Sequence, residues 1–348
     1  MALSEKQFLE IRNALDAAER PFFLHDDDPD GTCAFLLFQR YIGKGKGMPV
    51  KSIPVVDAKF IPKVKEYDPD IVFILDMPMV DQEFLDAMQC PVIWLDHHPV
   101  LDRKKVRYYN PRFADPNDNP STTVNAYHVV KRDLWLAMIG GVADWQLPDF
   151  TPEFQQQYPD LLPKHIQTPE DALFTAPIGT LVKVVSFLLK GDIADIKKSL
   201  NVLAKIQGPY EILQQQTPQG KYLWKVYQRV NKLYEKLLEQ ALRQPSRNGI
   251  RLFTYPDSKT SFTKELSNEM LYRFPDDVIV IGRMKSGEYR LSLRSKHLII
   301  RDALEKALIG IQGYGGGHEH ACGASVKEQD FERFLENLQA EIRQRKIL

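Results

Sequence analysis

The chain has 348 residues, 43% of them hydrophobic, with 46 Lys and Arg balanced by 46 Asp and Glu. That length allows two domains, each with its own core, and the zero net charge excludes a global field that gathers long nucleic acid while leaving room for a local basic cleft. No apolar run is long enough to span a bilayer, Met1 to Arg20 reads as a charged helix and not a secretory leader, and the scattered Cys33, Cys90 and Cys322 suit buried thiols in a reducing compartment, so the expected location is cytoplasmic.

In chain order, Pro21 to Leu24 predicts a short strand, the polar run through Gly31 a loop, and Thr32 to Tyr41 a helix with Ala34, Leu37, Phe38 and Tyr41 on one face. Ile53–Val56, Ile71–Leu75 and Val92–Leu95 are further strand candidates, with a helix over Gln82–Met88. Continuous apolar strands separated by helices predict a parallel sheet covered on both faces, whose ligands gather at the carboxyl ends of the strands. Ser121 to Leu136 and Ile139 to Ala143 read as helical, and Thr151 to Pro177, rich in Pro, Gln and Asp, as a surface excursion. Helices follow over Gly179–Leu189, Ile193–Ile206 and Tyr222–Leu242. After the break at Pro245–Gly249 come strands at Ile250–Tyr255, Val278–Arg283 and Tyr289–Leu293, the last two joined by a Met284–Gly287 hairpin turn. Helices at Ile300–Leu308 and Gln329–Arg345 complete an α/β chain. Its expected parts are a parallel-sheet catalytic domain over 1–150, a helical insert and connection over 151–245, and a smaller α/β domain over 246–348.

Four places carry chemistry in the first part. His25-Asp26-Asp27-Asp28-Pro29-Asp30-Gly31 follows a strand, and so many adjacent carboxylates repel unless a cation relieves them. An acidic turn punctuated by Pro and Gly explains the run equally well in isolation. Asp76 follows Ile71–Leu75, Asp96-His97-His98 follows Val92–Leu95, and Asp144 ends the glycine-bearing run Ile139–Ala143. Each lone Asp is as often a cap or turn residue, but a histidine pair with a carboxylate at a strand end favours chemistry. Carboxylates with imidazole and no cysteine suit Mn²⁺ or a similar ion, and there are enough oxygen donors for two ions that activate water at a phosphoryl group. In the last part, Gly313-Tyr314-Gly315-Gly316-Gly317-His318-Glu319-His320-Ala321-Cys322-Gly323 reads as a loop whose backbone amides approach an anion, or as a merely flexible loop, which would need no histidines. His318 and His320 are its candidate phosphate contacts. Arg294, after a strand, is a candidate phosphate clamp or an ordinary surface charge.

These motifs, in this order, resemble the DHH phosphoesterase superfamily, in the branch with a C-terminal DHHA1 domain, over about residues 20–150 and 250–345. The quoted motifs are Asp28-Pro29-Asp30-Gly31, Asp76, Asp96-His97-His98, Asp144 and Gly315-Gly316-Gly317-His318. The resemblance implies that Asp28 binds one manganese, Asp30 the other, that Asp76 bridges them, and that His97 and Asp144 complete the second ion's shell. Mg²⁺ or Co²⁺ would be substitutes. It implies further that Asp96 orients the imidazoles or supports the shell, that His98 contacts the substrate phosphate, and that Arg294, His318 and the glycine run hold substrate. Relatives place a histidine two or four residues before the first ligand. Here Asp26 and Leu24 stand there, with His25 between them: either His25 is re-aimed, or Asp26 substitutes, or the first ion has a leaner shell, with Asp26 favoured as a near-shell group. Cys322 stands where alanine is more usual and is expected to be a tolerated small buried residue.

The layout resembles that of the compact archaeal RecJ-like proteins. The expectation is therefore a manganese-dependent 3′-to-5′ exonuclease releasing mononucleotides from single-stranded DNA, associated with a helicase or replication protein and with no membrane. Its oligomeric state is left open. An oligoribonuclease or adenosine-bisphosphate phosphatase, acting on short RNA or nucleotides, is the nearest alternative, and a non-catalytic scaffold of a repair or replication complex is the alternative of a different class. Tyr222, Trp224 and Tyr227 are candidates to stack bases, although aromatics at helical spacing more often pack a core.

Overall fold

The computed structural model describes residues 3–51, 55–257 and 260–347. The chain divides into two compact units, Met1–Tyr227 and Gln228–Leu348. In the first unit the order is α1 (Glu5–Ala17), β1 (Pro21–Asp26), α2 (Pro29–Ile42), β2 (Lys46–Val50), β3 (Val55–Val56), α3 (Ile61–Tyr67), β4 (Ile71–Leu75), β5 (Met79–Val80), α4 (Gln82–Ala87), β6 (Val92–Leu95) and β7 (Arg107–Tyr109). Helices follow: α5 (Thr122–Val130), α6 (Leu134–Ala143), α7 (Thr151–Gln157), α8 (Pro169–Phe174), α9 (Ile178–Leu188), α10 (Ile193–Leu203), α11 (Pro209–Leu213) and α12 (Pro218–Leu242), the last running on into the second unit. The second unit adds β8 (Ser246–Arg247), β9 (Ile250–Tyr255), α13 (Thr263–Arg273), β10 (Val278–Lys285), β11 (Glu288–Arg294), α14 (Ile300–Ala307), β12 (Gly313–His318), β13 (Ala321–Lys327) and α15 (Phe331–Ile347).

The first unit is built on a five-stranded parallel sheet in the order β2-β1-β4-β6-β7. Alternation along the strands splits the apolar side chains between two faces. Phe22, Leu24, Val72, Ile74 and Trp94 pack with Phe60, Val64, Phe84 and Leu85 on one side. On the other, Phe23 stacks on Phe73 at 5.2 Å and meets Phe35 of α2 at 5.5 Å. Helix α2 is buried nearly all round from Asp30 to Phe38, because the sheet lies on one side and α5 and α6 on the other. Its start is written in the sequence: the Asp28 side chain caps the Gly31 amide at 3.1 Å and Pro29 occupies the first turn, while Gly43 in the left-handed region (φ 71°) ends it. From β1 the chain crosses to β2 on one side and then returns to β4 on the other, so the carboxyl ends of β1 and β4 flank a switch point, the crevice where open α/β sheets bind ligands.

Several expectations require correction. Helix α2 begins at Pro29, not Thr32, so Asp30 and Gly31 are helical and not in a loop. The strand beside β1 is Lys46–Val50, whereas Val55–Val56 pairs only with β5 in a separate two-stranded ribbon, and Ile53 and Pro54 lie outside the described residues. The helix expected over Ser121–Leu136 is broken at Lys131 and Asp133, both in the left-handed region. Residues 151–177 are no mere surface excursion: α7 and α8 lie here, and Phe154, Leu161, Leu162 and Ala172 are buried. Cys33 and Cys322 are buried free thiols, but Cys90 is only partly buried.

The second unit carries a six-stranded sheet, β12-β13-β11-β10-β9-β8, antiparallel except for β9 with β10. Ser286 and Gly287, both with positive φ, make the two-residue turn between β10 and β11. Val280, Leu291 and Leu293 of the sheet pack with Leu304 of α14 and Phe334 and Leu338 of α15. The run Gly313–His318, expected as a loop, is the edge strand β12, hydrogen-bonded to β13 and packed against α14. α/β architecture, an N-terminal parallel sheet, a helical middle and a smaller C-terminal α/β unit therefore describe the chain. Among the described residues no helix is long and apolar enough to cross a membrane.

Candidate active site

The carboxyl ends of β1, β4 and β6 and the C-terminus of α6 bring their acidic and imidazole side chains together. Three groups have ligand atoms within 4.8 Å of one another: Asp26, Asp28 and Asp76; Asp30, His97 and Asp144; and Asp76, His97 and His98. Asp76 belongs to two of them, and so does His97.

Each residue is braced from behind. Asp30 points out of the first turn of α2 into the N-terminus of α5, where its two oxygens accept the amides of Thr122 and Thr123, each at 2.9 Å. First-turn amides have no intrahelical acceptor and carry the positive end of the helix dipole, so they suit a buried carboxylate. The Thr123 hydroxyl returns a hydrogen bond to the Asp30 carbonyl at 2.6 Å. Gly140 permits this: a Cβ there would fall 2.4 Å from Thr123 Oγ1, so only glycine lets α6 close on α5 at that point. Asp76 leaves β4 in the left-handed region (φ 60°), accepts from Thr122 Oγ1 at 3.1 Å, and lies 3.3 Å from His97 Nε2.

His97 is fixed from its other nitrogen. Nδ1 is 2.9 Å from Asn119 Oδ1 and 3.7 Å from Asp144, so Nε2 faces Asp76 and, at 3.9 Å, Asp30. Asp144 also receives Gln146 Nε2 at 3.3 Å, and that same amide binds the Asn119 carbonyl at 2.6 Å. Asp96 does not reach both imidazoles. It is fully buried, bonds to His98 through Nδ1 at 2.8 Å and the His98 amide at 3.1 Å, and is itself held by Tyr108 and Asn110. Asp96 thus orients one imidazole, that of His98, while His97 is held by Asn119.

The electrostatics are those of crowded like charges. Burial, then the Asp76 and Asp144 charges, push Asp30 well above the usual carboxylate range, although the two amides oppose this. Burial pushes Asp76 the same way, but His97, His98 and Thr122 outweigh it and hold Asp76 below that range. His97 and His98 are desolvated yet held above the ordinary imidazole value by Asp76 and by Asp96 respectively. Buried carboxylates that repel one another, with imidazole nitrogens turned among them and no thiolate, form a donor set that fits divalent cations.

His25 stands apart. It lies flat on Phe35 (4.7 Å, 4° between planes), its Nδ1 is 2.7 Å from the Asp26 carbonyl, and burial pushes it down to about 4. Asp26, not His25, joins Asp28 and Asp76.

In the second unit, His318, Ala321 and Arg294 fall in one row across β12, β13 and β11. Arg294 is engaged by Asn268 Oδ1 at 2.8 Å and the Leu293 carbonyl at 2.9 Å, and burial lowers it to about 10. It is therefore no ordinary surface charge. His320 sits in the turn, with Nδ1 3.0 Å from the Leu298 carbonyl. Gly315 and Gly317 are crowded by the β13 backbone, whereas Gly316 is open. Residue reading missed Asn119, Thr122, Thr123 and Gln146. Asn119-Pro120-Ser121 carries only a turn-and-cap signal, and nothing local distinguishes a cap that faces inward.

Residues 256–344 match the DHHA1 domain family. No curated protein matches the sequence. Among solved structures, RecJ from Thermus thermophilus in complex with Mn²⁺ is similar over 98% of this chain and 55% of that one, at 18% identity and TM-score 0.69. The chain thus spans about half the length of that protein. An exonuclease RecJ bound to manganese is similar over 97% and 94% of the two chains, at 16% identity and TM-score 0.63. A pGpG-specific phosphodiesterase, PggH, from Vibrio cholerae is similar over 93% and 99%, at 14% identity and TM-score 0.50. The chain therefore has a RecJ-like fold, with a C-terminal region that matches the DHHA1 domain.

Proposed function

We propose that the chain is a manganese-dependent phosphodiesterase that degrades single-stranded DNA from its 3′ end and releases mononucleotides. The observation that carries this reading is the convergence of Asp26, Asp28, Asp30, Asp76, His97, His98 and Asp144 on one crevice of the parallel sheet. Asp28 would hold one ion and Asp30 a second, Asp76 would serve both, and His97 and Asp144 would complete the second. Asp26 lies beside the first. Mg²⁺ or Co²⁺ would be substitutes. Two such ions supply a water acidified to neutral pH and relief of the charge that builds on phosphorus.

The protein's own groups do the rest. Asp96, buried and bonded at Nδ1, keeps the His98 imidazole oriented and favours its charged form, so that its other nitrogen can donate to a substrate phosphate oxygen. Asn119 keeps Nε2 of His97 turned toward Asp76 and Asp30. We assign catalysis to residues 1–150, the helical connection to 151–245 and substrate holding to 246–348, where Arg294, Gly315, Gly316, Gly317, His318 and His320 would bind phosphate.

A second reading, hydrolysis of short oligoribonucleotides, is favoured by the likeness to a pGpG-specific phosphodiesterase across nearly its whole length. End-labelled DNA and RNA from dinucleotide to twenty-mer, incubated with Mn²⁺, separate the two. The exonuclease reading expects a ladder of mononucleotide products from the 3′ end of the DNA twenty-mer. Cleavage confined to the shortest RNA strands would replace it with the second reading, and no metal-dependent cleavage of any strand would overturn both.

A further inference from the structure

We propose that the outer face of α12 is a track for the phosphate backbone of a single-stranded nucleic acid. Lys221, Lys225, Arg229, Lys232 and Lys236 recur at intervals of three and four residues, which places all five on one stripe. All five are exposed. The stripe lies opposite the buried face of the helix, made by Leu223, Tyr227, Val230, Tyr234, Leu238 and Ala241. From Lys221 to Lys236 it runs ~22 Å.

An ordinary solvated helix face alternates its charges so that neighbours one turn apart attract. Here each stripe cation before the last is followed one turn on by another cation, although Glu235 and Glu239 also stand three residues after Lys232 and Lys236. Glu235 and Glu239 are the acids of α12, and Glu239 is paired with Arg243. Among the described residues none of the five stripe cations makes an ion pair. Lys198 of α10 adds a further cation beside the stripe, its Nζ 5.2 Å from the Tyr222 ring. In a chain with no net charge, this is a segregated positive surface that folding alone does not need.

The regular spacing suits a polymer with one charge per unit. A membrane would need apolar side chains to insert beside the cations, and the apolar face of α12 is already buried in the protein. A folded acidic protein would need an aromatic or aliphatic anchor within the stripe, and the exposed large apolar side chain on α12 is Leu233 alone. The choice of nucleic acid over other polyanions rests on the function proposed above.

The test compares wild type with the triple variant Lys225→Gln, Arg229→Gln, Lys232→Gln, and with the charge-retaining Lys225→Arg, Arg229→Lys, Lys232→Arg. Fluorescence anisotropy of labelled single-stranded DNA and RNA twenty-mers is read in EDTA across a salt series, so that binding is measured without turnover. Dinucleotide hydrolysis with Mn²⁺ is read separately. The neutral variant is expected to bind strands at least about tenfold more weakly at low salt, with a salt slope smaller by about 2. The charge-retaining variant should bind as wild type does, and dinucleotide hydrolysis should be unchanged in both. Unaltered strand binding by the neutral variant overturns the track while leaving the catalytic reading intact. So does loss of binding to phosphatidylserine vesicles with strand binding preserved. A wild type that binds strands through the stripe yet hydrolyses nothing overturns the catalytic reading and leaves the track standing.

Discussion

In the first unit the candidate site is made of side chains locked from behind, whereas in the second the candidate phosphate surface is largely bare backbone. Asp30, Asp76, Asp96 and His97 are all buried and each has a dedicated partner. The strand Gly313–His318 is exposed along most of its length, with Tyr314 71% exposed, and its four glycines present backbone where the first unit presents side chains. A site that must hold like charges close together needs positions fixed to a fraction of an ångström, and burial with hydrogen bonds supplies that. A surface that tracks a flexible chain needs close approach, and glycine supplies that.

The comparison is broken most severely at Asp76. Asp76→Asn keeps a residue type that tolerates the left-handed backbone there, so the loss reads the carboxylate and not strain. Turnover should fall by more than the ~100-fold typical of losing an outer partner, with thermal stability lowered, because His97, His98 and Thr122 favour the charged carboxylate in the folded chain. Asp76→Ala would mix that loss with backbone strain. Next, Gly140→Val drives a side chain into Thr123 and should lower stability by about 3 kcal/mol, an overpacking cost, measured by urea unfolding, and should cut activity through Asp30.

A third effect is acid sensitivity. His25 is buried with its value pushed down to about 4, so as pH falls from 6.5 toward 4 the unfolded chain takes up a proton that the folded chain refuses. Stability is therefore full above pH ~6.5 and falls by about 3 kcal/mol by pH ~4. His25→Leu should flatten that limb in a series of pH-dependent melts. Fourth, Asn119→Leu removes the acceptor at His97 Nδ1, and Mn²⁺ affinity by calorimetry should weaken ~10–100-fold. Asn119→Asp, which keeps the acceptor, should recover most of it. Smallest is Gly316→Ala, where a Cβ meets nothing within 4 Å: folding should be unaffected, and any loss of strand binding would report contact with that backbone.

The site was more legible than its scaffolding. Asp26 to Asp30, Asp76 and Asp96 to His98 stand out because each follows an unbroken apolar strand, and parallel topology sends such ends to one edge. Strand Lys46–Val50 was missed because Gly47 and Pro49 argue against a strand, yet β2 is an edge strand, where proline is tolerated, and Gly47 leaves room for the Phe35 ring. The helices at Thr151–Gln157 and Pro169–Phe174 are too short to show a period. β12 has almost no intrinsic strand preference, and its form comes from pairing with β13. Asn119 was invisible for another reason: its role depends on where His97 lies, 22 residues away.

Because Asp30 takes the amides of Thr122 and Thr123, the first turn of α5 should behave unlike the start of other helices under hydrogen exchange. Opening amides are ordinarily the first to trade their protons with solvent. These two can exchange only when α2 and α5 separate, so their deuterium uptake clocks the opening of the core and gives a spectroscopic readout of the candidate site that requires no substrate.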